Sequence, residues 1–274
     1  MTAIKNQKSQ IKNPRPIGIF DSGLGGLCVL KAVRKHLPLE SLIYFADSAN
    51  CPYGSKTADE VLSLSQKIIE FLFKHDCKLI VIACNTITAV AIDFFRARYP
   101  IPFIGMEPAI KPASLQSRNG KIGVLATENT FNGQLFKDTF QQYAKDLDVI
   151  VLPGHGLVEL VEQGDFNSEK AKVLLKKYLI PMLDKGVDTL VLGCTHYPFL
   201  KDTIASITEN RMKIMDPSEA VAAQTQRILR EFDLNAGQGH KPEFSFFTTG
   251  DHKPAETLCS RIMDKSFEFT KLTL

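Results

Sequence analysis

Short apolar runs alternate with longer segments whose apolar residues recur at helical spacing along most of this chain. The runs at 17–20, 42–46, 79–83, 122–125, 149–152, 189–192 and 244–248 are short and bounded by turn-forming residues, which predicts buried strands. Between and after them, 27–36, 58–75, 86–98, 132–143, 169–185 and 219–232 carry the amphipathic period of helices. Regular alternation of the two predicts an α/β protein, with mainly parallel sheets flanked by helices on both faces. Most connections are short, as such units require.

Two proline-bearing crossings interrupt the alternation, one over 99–108 and one at Met215-Asp216-Pro217. They predict two similar α/β domains, and 274 residues suffice for a core in each. The expected limits are 16–108 for the first domain and 109–218 for the second. Residues 219–274 would return to the first, and 1–15 would form a polar, basic arm. A weak echo relates the halves: Lys121-Ile-Gly-Val-Leu-Ala-Thr127 resembles Ile17-Gly-Ile-Phe-Asp21 as an opening strand.

Composition narrows the function classes. The chain is 44% apolar and 23% charged, ordinary for a globular protein, and its net charge of +3 is scattered rather than striped. That argues against a nucleic-acid surface. No run is long enough for a membrane helix, and residues 1–15 lack the apolar centre of a signal peptide, so a cytoplasmic location is expected. The six cysteines include no CxxC pair, which argues against a disulfide framework. Cys194-x-His196 is the nearest thing to a metal-ligand pair, and without a second close pair no metal is expected.

Two segments carry most of the chemical information, VIACNT at 81–86 and VLGCTH at 191–196. Each is an apolar run ending in cysteine and a small polar residue, which predicts a thiol at the end of a strand and the start of a helix. Backbone N–H groups and the helix dipole favour thiolate there. A lone buried cysteine is more often inert packing. Two at matching positions suggest a pair of acid/base groups facing one substrate from opposite sides. Asn85, Thr86 and Thr195 add polar groups beside the thiols, and His196 is a candidate proton relay.

Other candidates are weaker taken singly. Phe20-Asp21-Ser22-Gly23-Leu24-Gly25-Gly26 predicts a tight turn with exposed N–H groups that suit a carboxylate or phosphate; it is not GxGxxG, so NAD is not expected. Asp21 falls where open α/β sheets gather ligand groups, although such an Asp is also a common helix cap. Pro52-Tyr53-Gly54 can bind one end of a small polar ligand or be a plain turn. Glu159 and Glu162 lie on a short helix with Leu157, Val158, Leu160 and Val161 on its buried side, and Glu162 is the one expected near the site.

Together FDSGLGG at 20–26, ADSANCPYG at 46–54, ACNT at 83–86, LGCTHYP at 192–198 and DPSEAVA at 216–222 resemble the cofactor-independent aspartate/glutamate racemase family, on its glutamate-specific side. The resemblance runs from about Pro16 to Lys265. It implies two α/β domains related by a pseudo-two-fold, with the active site in the cleft between them. It also implies interconversion of L- and D-glutamate without a cofactor, supplying D-glutamate for peptidoglycan. Cys84 would deprotonate D-glutamate with Asp21 assisting, and Cys194 would deprotonate L-glutamate with Glu162 and His196 assisting. Asp21, Ser22, Tyr53, Gly54, Asn85, Thr86, Thr195 and His196 would surround the substrate. A homodimer is expected, with a peptidoglycan precursor as candidate activator. One stretch departs from the family pattern: Val151-Leu-Pro-Gly-His155 stands where an Ala-Cys-Pro-like sequence is common.

The residues also allow an aspartate racemase of the same mechanism, since one methylene changes affinity by only about 1–3 kcal/mol. A two-lobed amino-acid sensor gives no reason for paired thiols, and a redox pair requires sulfurs within bonding reach.

Overall fold

The computed structural model describes residues 13–263 and 265–274; residues 1–12 of the expected basic arm lie outside them. The chain begins β1 (Ile17–Asp21), α1 (Leu27–His36), β2 (Leu42–Ala46), α2 (Ala58–Lys74), β3 (Leu79–Ile82), α3 (Asn85–Arg98) and β4 (Phe103–Ile104). It continues with α4 (Ile110–Gln116), β5 (Lys121–Ala126), α5 (Glu128–Asn132), α6 (Gln134–Tyr143) and β6 (Asp148–Pro153). Next come α7 (Leu157–Glu162), α8 (Glu169–Asp184), β7 (Thr189–Gly193), α9 (Lys201–Ile207) and β8 (Lys213–Met215). The last elements are α10 (Ser218–Glu231), β9 (Phe244–Thr248), α11 (His252–Met263) and β10 (Phe269–Lys271).

The strands form two parallel sheets. One has the order β10-β9-β2-β1-β3-β4, so the C-terminal stretch adds two strands to a sheet begun at the N-terminus. The other has the order β6-β5-β7-β8. The run β2-β1-β3-β4 has the same pattern as β6-β5-β7-β8, with the opening strand second in each and flanked by the next two strands in sequence. The weak sequence echo between residues 17–21 and 121–127 is therefore an equivalence of place.

Alternate residues of the central strands feed opposite faces, the reason these strands are apolar throughout. Ile17, Ile19, Tyr44, Leu79 and Val81 pack with α1, α10 and α11, while Phe20, Phe45, Ile80 and Ile82 pack with α2 and α3. The second sheet divides likewise, with Leu125, Leu190 and Leu192 against α7, α8 and α9, and Val124 and Val191 against α4 and α6. Each such side chain taken out of water contributes about 1.5–3 kcal/mol. At the start of α2, Thr57 accepts the Glu60 N–H and Glu60 accepts the Thr57 N–H, a reciprocal cap that fixes where the helix begins.

The expected elements differ from the structure in a few places. β4, β8 and β10 have two or three residues each, too few to display a period. The helix expected over 132–143 is α6, beginning at Gln134, and the short α5 precedes it, the two joined at Gly133 in an extended conformation. A Cβ at Gly133 would stand 2.7 Å from the Cβ of Ala89, so its bare backbone lets this corner pack onto α3.

Candidate active site

The carboxyl ends of the two sheets face each other, and the candidate residues sit on the turns that leave them. Cys84 follows β3 and is the N-cap of α3, with extended backbone. It is buried, and its Sγ donates to Ser22 Oγ at 3.5 Å. Burial pushes the Cys84 thiol up and the Asp21 carboxylate adds to the effect, while the Ile87 N–H in the first turn of α3 and the Ser22 hydroxyl pull it down.

Cys194 holds the corresponding position after β7, but it does not start an α-helix. The chain bends and makes a single 3₁₀ turn over Tyr197–Leu200 before α9 begins. Pro198 sits at the start of that turn, where its missing N–H leaves no bond unmade. The expected helix start at the second thiol is thus corrected: the macrodipole that serves Cys84 has no long counterpart here. The Cys194 turn supplies His196 instead, whose Nδ1 lies 3.8 Å from the Cys194 sulfur.

His196 is fully enclosed. Burial by itself lowers the pKa of its ring, but hydrogen bonds with Cys194, Cys51 and Glu162 outweigh that and hold it well above the usual histidine range. Its Nε2 donates to Glu162 Oε1 at 2.6 Å, and the same oxygen accepts the Leu24 N–H at 2.6 Å. A carboxylate from α7 therefore anchors both the imidazole and the glycine-rich turn of the opposite sheet.

Ser22, Tyr53, Gly54, Cys84, Asn85, Thr86, Cys194, Thr195 and His196 line one cavity. Pro52, Thr127 and Val158 complete its wall, and the room left for water centres is about 10 Å³, enough for one molecule. A second space of about 120 Å³ shares Pro52, Gly54, Thr127 and Val158 with it and carries Glu128, His155 and Glu159 farther out. A cavity of about 560 Å³ between β4 and α10 contains none of the candidate residues.

Asp21 and Glu162 stand behind this wall rather than in it. Asp21 is 0% exposed and accepts the Gly26 N–H at 2.8 Å, the Thr195 hydroxyl at 3.4 Å and the Ser22 hydroxyl at 3.4 Å. Burial raises its carboxyl above the ordinary value and Glu162 adds to the rise, with His196 and the Gly26 N–H opposing. Tyr53 is placed in the wall, yet its hydroxyl is donated to Asp47, which also accepts from Asn50 and Thr249. Asn85 Oδ1 is buried without a hydrogen-bond partner, an acceptor that a cationic group in the cavity would satisfy.

Two contributors were not singled out from the sequence. Thr127 follows β5 as Ser22 follows β1, and its hydroxyl meets Thr86 across the cavity at 2.9 Å. The internal echo that ends at Thr127 already marked the position. Asp47 offered no such signal, because its partners lie as far along the chain as Thr249.

The glycines of the 20–26 turn have a use beyond turning. A Cβ at Gly25 would stand 2.5 Å from His196 Nδ1 and 2.7 Å from the Thr195 hydroxyl. The turn is bare so that the second cysteine's neighbours can press against it.

A family model for Asp/Glu/hydantoin racemases matches residues 28–225. The chain is 45% identical over 237 residues to a glutamate racemase of Herpetosiphon aurantiacus, covering 86% of this chain and 93% of that one. It is 45% identical over 230 residues to a glutamate racemase of Pseudomonas aeruginosa, with coverage of 83% and 87%. Among solved structures, the Francisella tularensis glutamate racemase in complex with D-glutamate superposes with a TM-score of 0.83 at 31% identity, over 95% of this chain and 98% of that one. The Escherichia coli glutamate racemase in complex with L-glutamate and the activator UDP-MurNAc-Ala gives 0.81 at 29% identity, over 93% and 97%.

Proposed function

The chain belongs to the Asp/Glu/hydantoin racemase family, and we propose that it interconverts L- and D-glutamate with Cys84 and Cys194 as paired acid and base. The observation that carries this reading is the placement of two thiols, at equivalent strand ends of two sheets, in the wall of one small cavity. Racemisation needs a proton taken from one face of Cα and another delivered to the opposite face. A thiolate on one side takes the proton, the thiol opposite gives its own, and the pair ends with roles exchanged.

The flanking groups divide the work. The His196 proton beside Cys194 can hydrogen-bond that sulfur when it acts as base on L-glutamate, and Glu162 holds the ring in place. Ser22 supports Cys84, and Asp21 steers Ser22 and Thr195 from behind. The unpartnered Asn85 Oδ1 suits the substrate ammonium, and the hydroxyls of Thr86, Thr127 and Thr195 suit its carboxylates. Fixed donors in a cavity that admits so little water stabilise the carbanion-like charge.

Glutamate is many times larger than the water-sized space, so the two halves part to admit it. The two sheets with their helices serve as domains of 16–108 with 219–274, and 109–218. The product feeds peptidoglycan synthesis, and a nucleotide-linked wall precursor of the kind bound by the Escherichia coli relative is the candidate activator.

The test is exchange in D2O with purified, reduced protein, run separately on L-glutamate and L-aspartate. Loss of the Cα proton with formation of the D-isomer on glutamate alone is expected. Exchange confined to aspartate overturns the substrate and keeps the mechanism. No exchange on either overturns the enzymatic reading.

A further inference from the structure

Cys51 is a third thiol beside the site, and the proposed reaction does not use it. Its Sγ, a Glu162 carboxylate oxygen and a His196 ring nitrogen lie within 4.8 Å of one another. They come from the loop after β2, the end of α7 and the turn after β7, so no sequence spacing announces them. They converge where residue 23 lacks a side chain: a Cβ there would stand 2.3 Å from Glu162 Oε1 and 2.8 Å from Cys51 Sγ.

Thiolate, imidazole and carboxylate together form a donor set for a borderline-soft, tetrahedral divalent ion, and a poor one for Mg2+ or Ca2+. Ligands at zinc distances stand roughly 3.3–3.7 Å apart around a tetrahedral ion. To take an ion, the 2.6 Å contact between His196 and Glu162 widens to that spacing while the Cys51 sulfur, within 4.8 Å of both, closes on the metal.

We propose that Cys51, Glu162 and His196 form an inhibitory binding site for a thiophilic divalent cation such as Zn2+. The ion bonds Cys51 Sγ, Glu162 Oε1 and His196 Nε2, and water takes the fourth position. The Cys51 thiol and the His196 ring each release one proton to solvent, leaving a site with no net charge, and no electron is transferred. The ion thereby replaces the Nε2 proton and takes Glu162 for itself, leaving beside Cys194 a neutral, metal-held imidazole that can no longer relay a proton through Nε2. The inhibition rests on the catalytic reading above; the binding does not.

Titration of the reduced protein with Co2+ reads the site through the sulfur-to-cobalt charge-transfer band, independently of activity. The wild type is expected to give a stoichiometric band that Zn2+ displaces, with racemisation falling in step. Cys51→Ala is expected to lose the band and to need at least about 10–100-fold more Zn2+ for the same inhibition, the loss already typical of an outer-shell partner. Its own metal-free kcat/KM is the baseline against which inhibition is scored, since Cys51 also hydrogen-bonds His196, and Cys51→Ser, with matching thermal unfolding, guards against a folding defect. A band that persists in both variants assigns the metal to another thiol and overturns the site, as does a wild type without a band. Binding that depends on Cys51 but leaves racemisation untouched overturns the inhibitory role. If the metal-free protein shows no racemisation at all, the cobalt titration still decides the site, so the two failures are distinguishable.

Discussion

Cys84 and Cys194 leave the carboxyl ends of equivalent strands, β3 and β7, yet their surroundings differ in kind. At Cys84 the support is backbone and hydroxyl: the first turn of a full helix and Ser22, with a buried carboxylate behind. At Cys194 the helix gives way to a 3₁₀ turn, and an imidazole held by Glu162 takes its place. The reaction is symmetric, and the apparatus is not. A thiol can be assisted either by many small fixed dipoles or by one mobile proton, and the proposed mechanism uses one of each.

The most direct way to break the comparison is to remove either sulfur. Cys84→Ser and Cys194→Ser should each lower kcat/KM by about 10²–10⁴-fold, the range for a positioned acid or base, in a chiral assay. If either retains near-wild-type racemisation, that sulfur is not an acid or base of the reaction.

Next in size, His196→Asn should cost about tenfold to hundredfold, below the full acid–base range. Enantiomers have equal free energies in water, so kcat/KM must fall equally in both directions, while kcat and KM can divide differently for L- and D-glutamate. Equal division for both hands would erase the proposed asymmetry.

Asp21→Asn sharpens the Cys84 side through pH. The Asp21 carboxyl is raised above its ordinary value of 3.8, so the stability tied to its neutral form is fully present below that value and is lost as pH rises through the folded-state pKa. The variant should melt like the wild type in acid and above it near neutrality, while losing activity. A melting difference that does not grow with pH would remove the buried-carboxylate account.

The smallest effect belongs to the contact between the halves. Thr127→Val deletes the bond to Thr86 and should cost about 0.5–1.5 kcal/mol in chemical denaturation. An unchanged midpoint would mean the two hydroxyls prefer water to each other.

The central strands and most helices were legible because each declares itself within a few residues. Leu79–Ile82 is apolar at every position, and α1 matches its expected span residue for residue. What stayed hidden depends on distance or on single residues. The edge strands are too brief for a period, and so is the five-residue α5 that precedes Gly133. The thiol pair was legible because the chain repeats it. The asymmetry was not, since a 3₁₀ turn and a helix start look alike in the letters after a strand. The convergence of Cys51 on Glu162 needs the fold, because 111 positions separate them.

The closed cavity has a consequence for affinity. The halves are joined across the site by Thr86 to Thr127, by Thr195 to Asp21, by Glu162 to the Leu24 N–H, and by Asn129 to the carbonyls of Tyr53 and Lys56. If glutamate of either hand binds at the proposed site only while that seam is parted, its apparent affinity is the intrinsic one scaled by the fraction of molecules standing open. The seam works as a turnstile on both substrates at once, and a looser seam trades water exclusion for easier admission.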